Sequence, residues 1–194
     1  MNICVAGWHF NKDFLDILSR SNYECFVVKH RDGVNLNGMD HRFDIPEPIG
    51  FSQTRNVGLE FGCYDWYLDN VWTEGEVLFI HDDNEITVEA LDTIAGMTVD
   101  QAFLFSDEDE IKRNAGAHGR AILCSEKFLK QLKVDGGFWY DEGQNGNPPT
   151  TQAPDYHNNA IQIFRSYCRS QNGMVTDKAI VVPGLNCGYR GEVK

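Results

Sequence analysis

No apolar run among the 194 residues approaches the ~20 needed to cross a bilayer as a helix. The chain is also short of positive charge. Lys and Arg number 17 against 29 Asp and Glu, a formal net charge of -12. An acidic surface repels phosphate backbones, which argues against a general nucleic-acid binder. A phosphorylated substrate would need positive charge supplied locally, and a divalent metal is the obvious source. No C-x-x-C spacing links Cys4, Cys25, Cys63, Cys124, Cys168 and Cys187, so neither a zinc knuckle nor a thioredoxin-like motif is supported. Most of these cysteines sit among apolar neighbours, where a free thiol acts as a small hydrophobe, and a reducing cytoplasm is the simplest compartment. The opening Met1-Asn2-Ile3-Cys4-Val5-Ala6-Gly7-Trp8 has no basic stretch and reads as a first strand rather than a signal peptide. There are no internal repeats. With 42% hydrophobic and 24% charged residues the composition is ordinarily globular, and the length suits one domain, residues 1–194.

The hydrophobic pattern alternates strand and helix. Ile3–Ala6 is a short apolar run ending at Gly7, and Asn11 can cap a helix through Arg20 with Phe14, Leu15 and Leu18 on one face. Tyr23–Lys29 is the second strand, closed by Asp32-Gly33. Such a βαβ opening implies parallel pairing. Residues 33–54 show no period and read as a long loop. Val57, Phe61, Tyr64, Leu68 and Val71 then recur at helical spacing up to Gly75. Glu76–Ile80 is an apolar strand that stops abruptly at His81-Asp82-Asp83-Asn84, after which Thr87 caps a helix with Glu89 in its first turn.

Strands are expected at Ala102–Phe105 and Arg120–Cys124. Ser125 caps a short helix bearing Phe128, Leu129 and Leu132, which Gly136-Gly137 breaks. Residues 143–154 read as a Gly/Pro-rich mobile loop, Asp155–Ser170 as a last helix, and Ala179–Val182 as a final strand. The alternation predicts an α/β domain with a mostly parallel sheet flanked by helices.

Ligands of open α/β sheets lie outside the carboxyl ends of the strands, where His81-Asp82-Asp83-Asn84 stands. Adjacent carboxylates repel unless a cation joins them. Oxygen ligands suit Mg²⁺ or Mn²⁺, and the imidazole leans toward Mn²⁺. The alternative is that these acids only cap the helix beginning at Thr87.

The order of motifs resembles the family 2 and related glycosyltransferases of the GT-A fold. Arg55-Asn56-Val57-Gly58 opens a helix that precedes the strand ending in His81-Asp82-Asp83. In that family an Arg-Asn-x-Gly helix start precedes a strand ending in an Asp-x-Asp metal motif. Arg120–Cys124 with Phe128, followed by Gly136-Gly137-Phe138, looks like the family's acceptor-side strand, helix and turn. Gly58-Leu59-Glu60 with Tyr64, Tyr67 and Leu68 is similar to smaller glycosyltransferase-like families of poorly known activity. The resemblance covers roughly residues 1–165. The triplet aligned with Asp-x-Asp is either His81-Asp82-Asp83 or Asp82-Asp83-Asn84, so one carboxylate is replaced by imidazole or amide.

The resemblance implies a Rossmann-like GT-A domain: a nucleotide-sugar and metal half at about 1–105 and an acceptor half at about 106–194. It implies a metal-dependent hexosyl-type transfer from a nucleotide-diphospho-sugar to a carbohydrate or other hydroxyl acceptor. Asp82 and Asp83 would hold Mn²⁺ or Mg²⁺ against the diphosphate, with His157 as a further ligand. Asp82 would also contact the donor, as would Trp8 by stacking on the base, Asp32 at the base or ribose, and Arg55 at the diphosphate. Trp8 can equally be core, Asp32 an ordinary turn residue, and Arg55 a partner of a surface acid. Asp141, Glu142 and Asp155 are the candidates for a base that deprotonates the acceptor. Trp139 and Tyr140 could stack on a sugar. A degenerate sugar- or nucleotide-binding module is the rival reading. A nucleotidyltransferase is a weaker one, because Gly7-Trp8-His9-Phe10 is not a basic, Gly-rich phosphate loop. A homo-oligomer is left open.

Overall fold

The computed structural model describes residues 1–7, 10, 12–29, 45–54, 59–82, 84–106, 121–138 and 180–186. Its elements run β1 (Asn2–Gly7), α1 (Lys12–Arg20), β2 (Glu24–Lys29), β3 (Gly50–Gln53), α2 (Leu59–Asn70), β4 (Val77–His81), β5 (Glu85–Ile86), α3 (Val88–Ala95), β6 (Ala102–Phe105), β7 (Ala121–Cys124), α4 (Glu126–Val134) and β8 (Leu185–Asn186).

Six strands form one sheet in the order β3-β2-β1-β4-β7-β6. β1 pairs in parallel with β2 and β4, and β2 with β3, while β7 runs antiparallel to both β4 and β6. The sheet is therefore mostly parallel, as the alternation of the sequence predicts.

Alternate side chains of each strand face opposite layers. Ile3, Val5, Leu78 and Ile80 pack with α1 and α3 through Phe14, Leu15, Leu18, Ala90, Leu91 and Ile94. Cys4, Ala6, Val77 and Phe79 pack with α2 and α4 through Phe61, Tyr64, Leu68, Phe128, Leu129 and Leu132. Parallel strands covered on both faces must be apolar at every position, which is why Ile3–Ala6 and Val77–Ile80 are uninterrupted runs. On the α2 side the Tyr64 and Phe138 rings lie 4.8 and 4.9 Å from the Phe79 ring, the latter edge to face.

The helix starts follow the sequence reading. The Thr87 hydroxyl accepts the Ala90 N–H, and the Ser125 hydroxyl accepts the Phe128 N–H, each at 3.2 Å. Asn11, the expected cap of α1, lies outside the described residues, as does the expected helix 155–170.

Two expectations need correction. Part of the long loop is an edge strand: β3 pairs Gly50–Gln53 with Phe26–Lys29. With one neighbour it needs no apolar run, and Phe51 is half exposed. The final strand is also displaced. Ile180 makes only an isolated parallel bridge to Phe105. A Pro183-Gly184 turn, closed by Leu185 N–H to Val182 O at 3.0 Å, redirects the chain so that β8 pairs antiparallel with β5.

Cys4, Cys25, Cys63 and Cys124 are free thiols, and all but Cys25 are buried. Burial pushes the Cys4 and Cys63 thiols well above their ordinary range and Cys25 up to about 11. Since the Cys25 value lies above the ordinary 9.0, its contribution to stability is intact below about pH 9. That contribution fades as pH rises through about 11. Iodoacetamide at about pH 8 should leave Cys4, Cys63 and Cys124 unmodified until the protein unfolds. Cys25 should label roughly 100-fold more slowly than a free cysteine, since thiolate is the reactive form. Peptide mass mapping reads this out, and rapid labelling of Cys63 in native protein would contradict the packing of α2.

Candidate active site at the carboxyl ends of β1 and β4

The chain leaves β1 toward β2 but leaves β4 toward β6 and β7, on the other side of the sheet. The carboxyl ends of β1 and β4 are thus the point at which the strand order reverses, where ligands of open α/β sheets lodge. The register pairs Ala6 with His81. The next residues, Gly7 and Asp82, therefore meet as the apolar runs end.

Asp82 belongs to the sheet end rather than to a solvent loop. Its N–H donates to Ala6 O at 2.9 Å, extending the ladder by one bond. Its carboxylate turns back over β1, with only 1% of the side chain exposed. Oδ2 accepts the Phe10 N–H at 3.2 Å, and Oδ1 stands 3.1 Å from His81 Nδ1. A Cβ on Gly7 would overlap this carboxylate, so the missing side chain is what admits it. The reading of Asp82 as a helix cap does not hold, because Thr87 supplies the α3 cap and Asp82 faces β1.

His81 is about one-fifth exposed, and its carbonyl accepts both the Asn84 N–H at 3.2 Å and Asn84 Nδ2 at 2.9 Å. The turn then enters β5, where Asn186 Nδ2 donates to Glu85 Oε2 at 3.1 Å and Thr87 N–H to Gly184 O at 2.9 Å. The segment 180–186 is thereby built against the exit from the acidic turn.

Three residues here were not singled out from the sequence as site residues. Gly7 is one. Glu60, in the first turn of α2, is 2% exposed. The Cys63 thiol is raised first by burial, then by Glu60 and Asp82, so both acids bear on the core behind the strand end. Asp65 is the third. Its Oδ1 accepts the Phe138 N–H at 2.6 Å, and a Cβ on Gly137 would collide with its carboxylate. Gly137 also sits at φ +89, a region that favours glycine. The Gly136-Gly137-Phe138 turn is thus clamped to α2, with the Phe138 ring buried against Phe61, Tyr64 and Phe79. A glycine pair followed by an aromatic was the only signal of this in the sequence.

Of the residues expected to carry chemistry, Asp82 is described. Trp8, Asp32, Arg55, Asp83, Asp141, Glu142, Asp155 and His157 lie outside the described residues, as does the loop 143–154. Among the described residues no group of three or more His, Cys, Asp or Glu could hold a metal ion. Asp82 is buried, with Oδ2 accepting the Phe10 N–H and Oδ1 at ion-pair distance from His81 Nδ1. The donor chemistry suits a hard divalent ion where Asp83 adds a second carboxylate. Among the described residues no helix is long and apolar enough to cross a membrane.

No family model matches the chain, and no curated protein matches it by sequence. Solved structures do. A protein from Desulfovibrio desulfuricans G20, described as a nucleotide-diphospho-sugar transferase, superposes with a TM-score of 0.52 at 13% identity. That match covers 93% of this chain and 80% of the other. Residues 1–349 of TarS from S. aureus, in complex with UDP, give a TM-score of 0.54 at 15% identity, covering 94% of this chain and 61% of that one. The chain shares its fold with these two proteins. At such identities the likeness concerns the path of the chain, and this chain spans about three-fifths of the TarS fragment.

Replacing Asp65 by Ala should cost about 1–3 kcal/mol, because the Phe138 N–H loses a charged acceptor. Urea unfolding measures it. A loss under ~0.5 kcal/mol would mean that the Gly-Gly-Phe turn holds without its clamp.

Proposed function

We propose that the chain is a nucleotide-sugar glycosyltransferase. The observation that carries this reading is the Asp82 carboxylate, seated where the carboxyl ends of β1 and β4 diverge, in a fold shared with a protein described as a nucleotide-diphospho-sugar transferase and with a TarS fragment in complex with UDP. A nucleoside diphosphate would lie across these strand ends. Trp8 and Asp32, which follow β1 and β2 in sequence, would meet its base and ribose, and Arg55 its diphosphate.

Metal dependence belongs to the same proposal. Asp83 and His157 would hold Mn²⁺ or Mg²⁺, with Asp82 behind them at the strand end. Such an ion supplies Lewis-acid stabilisation of the departing diphosphate. It also answers the repulsion between an acidic protein and an anionic donor. The chain's own residues would do the rest. Asp141 or Glu142, a few residues beyond the clamped Phe138, takes the acceptor proton, and Asp155 ranks third because the N-terminus of the expected final helix would stabilise its charged form. Residues 143–154 would close over the donor. The cytoplasm is the proposed compartment, and the acceptor is a carbohydrate or another hydroxyl compound.

Two measurements test the reading. Thermal melting with Mn²⁺ and each nucleoside diphosphate should single out one base by a raised midpoint, and Asp83→Ala should abolish Mn²⁺ binding in isothermal titration. With the matching nucleotide sugar, Asp141→Asn or Glu142→Gln should lower kcat by ~10²–10⁴-fold while donor affinity is kept. Selective nucleotide binding without turnover on any acceptor would instead favour a degenerate binding module.

A further inference from the structure

Phe10 has a positive φ of 25°, an unusual backbone for a bulky aromatic residue. Strain of this kind persists only where the surroundings over-determine it, and it gathers at functional sites. Phe10 is held both by its ring and by its backbone. Its ring is 2% exposed, in the same cluster as Phe14, Leu15 and Ile80. Its N–H donates to Asp82 Oδ2 at 3.2 Å in a buried setting, across 72 residues of sequence. The carboxylate reaches that N–H because Gly7 leaves room for it and because the Asp82 N–H is fixed on Ala6 O.

An acceptor-only carboxylate so placed has a specific consequence. It ties the connection between β1 and α1, which begins at the strand end where the nucleotide would lie, to the first residue beyond β4. We infer that Asp82 is a positioning residue. Its carboxylate fixes Phe10, and with it the entry into α1, in the form that receives the nucleotide, and it does so without serving as a metal ligand. This rests on the donor reading above, but it assigns Asp82 a different task from Asp83.

A metal ligand and a loop anchor respond differently to the same change. Loss of a ligand weakens nucleotide binding only when metal is present. Loss of the anchor weakens it equally with and without metal. UDP is the probe, titrated calorimetrically into the full chain in EDTA and again in saturating Mn²⁺. Asp82→Ala should weaken UDP roughly 10-fold or more in both conditions, the scale of one charged hydrogen bond. Gly7→Ala leaves every carboxylate in place but displaces the one at Asp82, and it should reproduce the effect. It also serves if Asp82→Ala does not fold.

Hydrogen exchange supplies a readout that needs no ligand. The Phe10 amide should be protected in the wild type without nucleotide, and protection should fall in either variant while the β1 and β4 amides stay protected. A UDP loss confined to the Mn²⁺ titration overturns the inference, as does unchanged UDP affinity in a folded variant. A Phe10 amide that stays protected in both variants overturns the anchor itself. If the wild type binds neither UDP nor another nucleoside diphosphate, the donor reading falls and takes the nucleotide half of the inference with it. The Phe10 amide still decides the anchor in that case.

Discussion

The parallel pairing of β1 with β4 is the constraint from which the rest follows. Ile3 lies against Leu78, Cys4 against Phe79 and Val5 against Ile80, and all six are fully buried. Two strands covered on both faces require a helical layer on each side, which α1 with α3 and α2 with α4 provide. The register is tightly specified, since a slip of one residue would send each side chain to the opposite layer. It also sets where the apolar runs stop. Because Ala6 pairs with His81, Gly7 and Asp82 emerge at the same level, and the site lies where it does because the core ends there.

A buried carboxylate at such an exit is costly unless donors meet it. Here one donor comes from the connection it closes. The Phe10 N–H turns inward to the carboxylate, the His81 ring stands beside it, and the Asp82 backbone continues the ladder to Ala6. The same arrangement recurs at lower burial one layer away. Asp65 accepts the Phe138 N–H, and a bare Gly137 makes room for the carboxylate. In both places an acid reads a backbone amide far away in sequence, beside a glycine that no other residue could replace without collision. These two clamps connect the strand end that would hold the donor and the turn that precedes Asp141 and Glu142 in sequence through one sheet and one helix.

Much of the fold was legible because it is written locally. The uninterrupted run Val77–Ile80, the apolar stripe of α1, and the caps Thr87 and Ser125 each report on neighbours within a few residues. The short strands were not legible. β3 is an edge strand, and β5 and β8 are two residues each, too short for any period to show. The acidic turn stood out in the sequence as a polar break after an apolar strand. What Asp82 touches did not, because that depends on the β1–β4 register and on Gly7, some 75 positions earlier. Asp65 was silent for the same reason, its amide partner lying 73 residues away.

Charge gives the last step. The chain carries a formal -12, yet the proposed ligand is an anion. Among the described residues the cations are Lys12, Arg20, Lys29, Lys127, Lys130 and Lys133. Lys127, Lys130 and Lys133 ride on α4, where Lys130 pairs with Glu126 and Lys133 with Asp69. Arg20 ends α1, remote from the strand exits, and pairs with Asp16 at 3.8 Å. Only Lys12, which opens α1, and Lys29, which ends β2, stand at the carboxyl end of the sheet among these. Two ammonium groups on flexible stems, one exposed and one partly buried, do little to offset a surrounding acidic field. A diphosphate at this end therefore requires further positive charge close to the strand ends. In the proposal, Arg55 and a divalent ion at Asp83 would supply it, and the negative field that repels the donor is the same field that would draw such an ion in.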